Sequence, residues 1–331
     1  MRTAPTPLLL GLGAVLLVGC SSETDARREP TPDAASSSAV ATPTPPPSAS
    51  ESMDPRPVPD RPRPFDVRVA RRTVQHLAGE IGPRHATSPA FREAAAWVTG
   101  RFEGLGMRVR QQRVETPGGV SWGVPVDAGA SANVIASSPD YAPDRPHLVV
   151  GAHLDTVPQA PGAEDNASGI GVLLGVAKAI RERPTRLPVV LVAFGAEEPR
   201  GAGDAHHHYG SRAYVAAHTG RERRAVRGMV SLDRVGVGAV MPLGSAVEGP
   251  DRPADVVAQA AQRAGVPIVR DSNRSSDHWS FVRSGMPGVR LGSTSYAAYH
   301  SASDVPGVVD DRQLRRAGRV VLAWLAPDSP R

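Results

Sequence analysis

Two continuous apolar runs, His147 to Val150 and Pro188 to Phe194, constrain the fold of this chain more than any other feature. A strand with one wet face alternates apolar and polar residues, whereas a strand covered on both faces does not. Between the runs lies a segment, Asp165 to Arg183, whose Ile170, Leu173, Leu174, Ala177 and Ile180 recur with helical period. Gly169, Gly171 and Gly175 in the same segment permit close packing. Strand, helix and strand in that order make a βαβ unit with its strands parallel. The flanking sequence repeats the alternation. Helices are predicted over Phe65–Ile81, Ser88–Leu105 (opened by the N-cap and first-turn pair Ser88-Pro89), Ser211–His218, Pro253–Ala264 and Asp311–Leu325. Strands are predicted over Met107–Val114, Ala132–Ala136, Met229–Leu232 and Val289–Leu291. The expectation is an α/β fold: one domain over residues 64–327, with a mostly parallel central sheet and helices on both faces.

Open parallel sheets place their chemistry beyond the carboxyl ends of the strands. His153 closely follows the first apolar run, Glu197 and Glu198 follow the second, and Asp233 follows the strand Met229–Leu232. Asp165 opens the intervening helix segment, and His300 lies in the loop Tyr296–Asp304. These two histidines and three of the carboxylates form a nitrogen and oxygen donor set, which suits zinc and argues against magnesium or calcium. Five donors exceed what one open tetrahedral zinc takes. They suit two metals that share a carboxylate, spaced about 3.5–4 Å apart as paired hydrolytic metals are.

The ordered pieces His153-Leu-Asp155, Asp165-Asn-Ala-Ser-Gly169, Gly195-Ala-Glu-Glu198, Ser231-Leu-Asp233, Ser276-Asp-His278 and Tyr299-His300-Ser-Ala-Ser-Asp304 resemble the two-zinc aminopeptidase family, metallopeptidase family twenty-eight. Ile81-Gly-Pro-Arg-His resembles that family's N-terminal region. The resemblance implies the zinc-dependent exopeptidase fold and two zinc ions. It implies that His153 and Asp233 hold one zinc, that Glu198 and His300 hold the other, and that Asp165 bridges them. By the same resemblance Glu197 is the general base and Tyr299 donates to the developing oxyanion. Asp155 takes the place of a carboxylate that orients the first histidine. A cis peptide bond is expected at Asp165–Asn166. The activity implied is that of an aminopeptidase acting on peptides.

Three other readings compete. The related deacylases and dipeptidases share Gly151-Ala-His-Leu-Asp-Thr-Val-Pro158, but they insert a lid domain. Here the intervals Glu198–Asp233 and Asp233–His300 are already filled by ordinary elements. A glutaminyl-cyclase-like enzyme with one functional zinc is disfavoured because His153 and Asp233 are both present. A catalytically silent binding protein is disfavoured by the intact donor set and base. The run His206-His207-His208 reads as a loop near the site rather than as further ligands, and as a departure from the family pattern. Asp277 and His278 are expected to support the site without ligating, and His76, His85, His147 and His218 to be structural or on the surface.

The N-terminal part reads differently. Arg2 precedes an apolar run, Leu8 to Val18, too short to span a bilayer and suited to a signal-peptide core. It ends Leu17-Val18-Gly19-Cys20, which resembles the bacterial lipoprotein signal, with Cys20 as the lipidated residue and the only cysteine. Residues 1–20 are thus expected to be a signal peptide. Residues 21–63, rich in Pro, Ser, Ala and Thr, are expected to be a disordered tether reaching about 35–40 Å. The expected location is extracytoplasmic, anchored to the cell membrane by the lipid on Cys20. Lysine and arginine exceed the acids, 38 to 33, but Lys178 is the only lysine and the arginines are scattered. Without a dense basic block or interleaved aromatics, no nucleic-acid partner is expected; the partners are peptide substrates and, through the lipid, the membrane. Oligomeric state is not legible.

Overall fold

The computed structural model describes residues 64–327; the expected signal peptide, Cys20 and the 21–63 tether lie outside the described residues. In chain order the elements are α1 (Val67–Val74), α2 (Pro89–Gly104), β1 (Arg108–Thr116), β2 (Gly119–Ser121), β3 (Val124–Val126), β4 (Gly129–Ser137), β5 (His147–His153), α3 (Ser168–Ile180) and β6 (Val189–Phe194). They continue as α4 (Tyr209–Ala216), α5 (Gly220–Ala225), β7 (Val226–Leu232), β8 (Met241–Ser245), α6 (Arg252–Arg263), β9 (Ile268–Ser272), α7 (His278–Val282), β10 (Gly288–Leu291) and α8 (Asp311–Leu325).

Among the described residues, eight strands form one sheet in the order β1-β4-β6-β5-β7-β10-β8-β9. Its centre, β6-β5-β7-β10, is parallel, as the uninterrupted apolar runs require. β1 and β4 add antiparallel to one side, and β8 pairs antiparallel with β10 on the other. β2 and β3 form a separate hairpin. Alternate residues of the central strands feed two cores. Leu148, Val150, Leu191 and Ala193 pack with α1, α2, α3, α6 and α8 on one face. Val149, Val190, Val192 and Phe194 pack with Tyr214 and Val215 of α4 and Phe281 of α7 on the other. Helices therefore cover both faces.

Several boundaries differ from expectation, two of them beside the site. The segment expected as one helix over Phe65–Ile81 begins as α1 and continues as a π-helical turn, Gln75–Ile81, closed by Gly82 at φ 79°. The helix between the first two central strands starts at Ser168 rather than Asp165. Asp165 and Asn166 have non-helical dihedrals, and the peptide bond between them is cis.

The glycines of α3 work as close-packing positions. A Cβ on Gly171 would lie 2.8 Å from the Ala70 carbonyl oxygen of α1. Backbone cannot move aside as a side chain can, so Gly171→Val forces α1 away from α3. The expected outcome is a loss of about 1–3 kcal/mol, read as an earlier midpoint in urea denaturation. An unchanged midpoint would show that the two helices separate freely.

Candidate metal centre

The carboxyl ends of three neighbouring parallel strands converge on one cleft. His153 is the last residue of β5, Glu197 and Glu198 follow β6, and Asp233 follows β7. Asp165 comes from the turn before α3, and His300 from the loop after β10. All five expected donors and Glu197 are buried. Asp165 lies between the two imidazoles: its Oδ1 is 3.1 Å from His153 Nε2 and its Oδ2 is 3.1 Å from His300 Nε2. Asp233 Oδ1 lies 4.0 Å from His153 Nε2, and Glu198 Oε1 lies 3.5 Å from His300 Nε2. The donors thus run Asp233, His153, Asp165, His300, Glu198, with one carboxylate in the middle.

Backbone hydrogen bonds hold the loops that carry these groups. The Asp155 carboxylate accepts from the N–H groups of Glu197 (3.0 Å) and Glu198 (3.1 Å). Asp304 accepts from the N–H groups of Glu164 and Asp165, at 2.9 and 3.1 Å, and from the Tyr296 hydroxyl. Asn166 donates to the Leu232 carbonyl and accepts from the N–H groups of Gly169 and Arg234, which ties the turn before α3 to the end of β7. The orienting contact expected from the Asp155 carboxylate differs in one respect. His153 Nδ1 donates instead to the Asp155 carbonyl, at 3.1 Å, and the carboxylate stands 3.9 Å away because the two glutamate N–H groups engage it.

The donor set fits a metal on its own chemistry. With Nδ1 of His153 donating to a carbonyl, Nε2 is the ring nitrogen directed at the oxygens of Asp165 and Asp233. Three carboxylates crowded onto two imidazoles in a buried site call for a cation among them. Two triads of donor atoms lie close enough to share an ion, His153 with Asp165 and Glu198, and His153 with Glu197 and Asp233. Glu198 Oε1 and His300 Nδ1 are buried without a hydrogen-bond partner among the described residues. The electrostatic environment of these groups agrees. Burial pushes Glu197 up to about 8, with Asp233, Asp155 and Asp165 adding to the shift and His153 opposing it. Burial likewise raises Glu198, to about 7. Burial opposes the protonation of His153, but Glu197, Asp165 and Asp233 overcome it and hold its pKa well above the imidazole value. Crowded like charges shift one another in this way, and a bound cation relieves the repulsion.

Tyr299 stacks on the His300 ring, with centroids 3.7 Å apart, and lines the cleft. Asp277 and His278 are fully buried nearby without belonging to the five donors; His278 Nε2 donates to the Asn273 carbonyl. His147 and His218 direct Nδ1 to the Arg145 and Tyr214 carbonyls, and His76 stacks on Trp97. The histidine run divides. His206 is exposed and His207 half-buried, whereas His208 is buried with Nε2 3.1 Å from Glu197 Oε1 and its N–H donating to the Glu197 carbonyl. Sequence reasoning also missed Arg234 and Trp122, which line the same cleft. Trp122 sits at the tip of the β2–β3 hairpin, edge-on to His300 at 4.3 Å. Its signal in the sequence is Trp122-Gly123 between two short strands, a turn pair. A groove of about 840 Å³ beside Phe65, Lys178 and Arg319 is larger, but it contains none of these donors.

The family described as Peptidase family M28 matches residues 133–325. The uncharacterized protein YfbL of Escherichia coli (strain K12) is 30% identical over 185 residues, covering 53% of this chain and 51% of that protein. The chain spans about half the length of the curated relatives it matches. The structure of BSAP, a zinc aminopeptidase from Bacillus subtilis, superposes with a TM-score of 0.71 at 19% identity, covering 80% of this chain and 95% of that one. Glutaminyl cyclase of Bacteroides thetaiotaomicron, bound to N-acetylhistamine, superposes with a TM-score of 0.68 at 21% identity, covering 81% of this chain and all of that one (100%). At these identities the two superpositions establish the shared fold.

Proposed function

Because the chain belongs to peptidase family M28, we propose that it is a zinc aminopeptidase with a co-catalytic pair of zinc ions, releasing N-terminal residues from peptides. The observation that carries this reading is the placement of Asp165 between two imidazoles, one oxygen to each, with a further carboxylate beyond each ring. In this reading His153 and Asp233 would hold one zinc, His300 and Glu198 would hold the other, and Asp165 would serve both. When bound, the zinc pair supplies Lewis acidity that lowers the pKa of a water and polarises the scissile carbonyl.

The chain's own residues supply the rest. Glu197 takes the proton of the attacking water and passes it to the leaving amine. Its position is fixed through its N–H, which donates to Asp155, and its neighbour Glu198 is fixed in the same way. Glu197 can thus face the water while Glu198 faces the metals. The Tyr299 hydroxyl is the proposed donor to the developing oxyanion. Burial of the donors keeps bulk water away from the charged cluster and strengthens each contact.

The test is release of free amino acids from short peptides and aminoacyl anilides. Incubation with a chelator is expected to abolish release and lower Tm, and added zinc to restore both. Elemental analysis is expected to find two zincs per chain; a single zinc at full activity would sink the co-catalytic pair. Release of ammonia from peptides with N-terminal glutamine, without free amino acid, would replace the peptidase reading by cyclase chemistry. We further propose that the catalytic domain, 64–327, is tethered outside the cytoplasmic membrane by lipid on Cys20, a reading supported by Leu17-Val18-Gly19-Cys20 alone. Metabolic labelling with a radioactive fatty acid should mark the wild-type chain and leave Cys20→Ser unlabelled.

A further inference from the structure

Among the described residues that line the cleft, Arg234 is the only arginine or lysine, and the proposed chemistry makes no use of it. It follows Asp233 directly and has φ 56°, in the left-handed region. Glycine or asparagine fills that conformation at lower cost than arginine, so the residue is held there by its surroundings. Its N–H donates to Asn166 Oδ1 at 3.2 Å, and its carbonyl accepts from Ser293 N–H at 2.9 Å. The head group is held as firmly. Nη2 donates to the Ser293 hydroxyl, the guanidinium carbon lies 4.5 Å from the Tyr299 ring centroid, and Nε lies 3.5 Å from Asp233 Oδ1. Nη1 has no hydrogen-bond partner among the described residues, and Asp233 is the only ion-pair partner of the side chain there. In the proposed centre Asp233 is committed to zinc, which leaves the guanidinium charge facing the cleft.

A guanidinium fixed before substrate arrives recognises a carboxylate with little further ordering and repels an ammonium group. The cavity over the donors is about 80 Å³, room for ions and water, so the parts of a substrate that flank the scissile bond must lie on its rim, where Arg234 stands. We propose that Arg234 is a specificity-determining residue that binds a carboxylate of the substrate next to the scissile bond. Two sources share that chemistry: the side chain of an N-terminal acidic residue, and the terminal carboxylate of a dipeptide. The inference rests on the peptidase reading of the same site.

The experiment is calorimetric titration of zinc-loaded Glu197→Gln protein, which separates binding from turnover. One arm compares alanyl-alanine with its amide, and the other compares aspartyl-alanine amide with asparaginyl-alanine amide. In one arm the member bearing the carboxylate is expected to bind about 10- to 100-fold tighter, and that arm identifies the source. In the Glu197→Gln, Arg234→Asn protein the difference disappears; asparagine suits the left-handed backbone, so Tm is expected to be maintained. Equal binding within both arms, a preference that survives Arg234→Asn, or no binding by any of the peptides overturns the inference. Failure of the peptidase reading is seen elsewhere, in a wild-type enzyme that cleaves none of these peptides. Cleavage of the neutral peptides without a carboxylate preference fails the inference alone.

Discussion

Glu197→Gln is expected to lower kcat by about 10²–10⁴-fold while the protein keeps its fold and its zinc. The change replaces one oxygen by an amide nitrogen in a buried side chain, and so preserves volume while removing the ability to accept a proton. The backbone that positions residue 197 does not depend on the side chain, since its N–H donates to Asp155 and its carbonyl accepts from the N–H of His208. The neighbouring Glu198→Gln should behave differently. Glu198 faces His300 at 3.5 Å, so weakening it is expected to lower zinc content along with activity. The contrast is the informative part: of two adjacent glutamates, one substitution affects the rate at full metal occupancy and the other affects occupancy. Turnover by Glu197→Gln within tenfold of wild type would falsify the assignment of the base.

The apolar pattern made the centre of this fold legible. β5, β6 and β7 are buried along nearly their whole length, and a strand covered on both faces leaves no polar break in its sequence. The same logic explains what was not legible. β9 is mostly exposed and lies at the sheet edge, so its residues carry no apolar signature, and its partner β8 is short and contains Pro242 and Gly244. The start of α3 was misjudged because the Asp165–Asn166 turn is maintained by Leu232, Asp304 and Arg234, residues remote in sequence. Within the site, donors that follow strands were readable from their position, because strand ends fix where the next residues go. His208 and Arg234 were not. Both have positive φ, at 59° and 56°, and no local pattern tells which way a left-handed loop residue aims its side chain.

Arg84→Met is expected to be among the most destabilising single changes outside the donor set, costing about 3–5 kcal/mol, as loss of a buried charged partner does. Arg84 is fully buried, and its guanidinium donates to the carbonyls of Leu77, Gly82, Leu154, Pro161 and Gly162. Burial pushes its pKa down to about 10, with Asp304, Asp155, Asp165 and Glu198 holding it up, so it stays charged at neutral pH. Those carbonyls belong to three separate stretches: the π-helical turn after α1 with its closing Gly82, the segment after β5, and the loop leading to Asp165. Methionine fills part of the volume but supplies no donor, and each buried carbonyl left without one is costly. Arg84→Lys is expected to rescue little, because one ammonium cannot span acceptors spread over three stretches. For a domain stable by about 5–15 kcal/mol, the predicted loss removes a large share of the total. The loop at Pro161–Gly162 should loosen first and displace Asp165, so zinc affinity should fall even where the variant remains folded. Guanidinium denaturation together with zinc titration of the folded protein tests both claims. A destabilisation below about 1 kcal/mol with unchanged zinc affinity would mean that the three stretches are held together without this arginine.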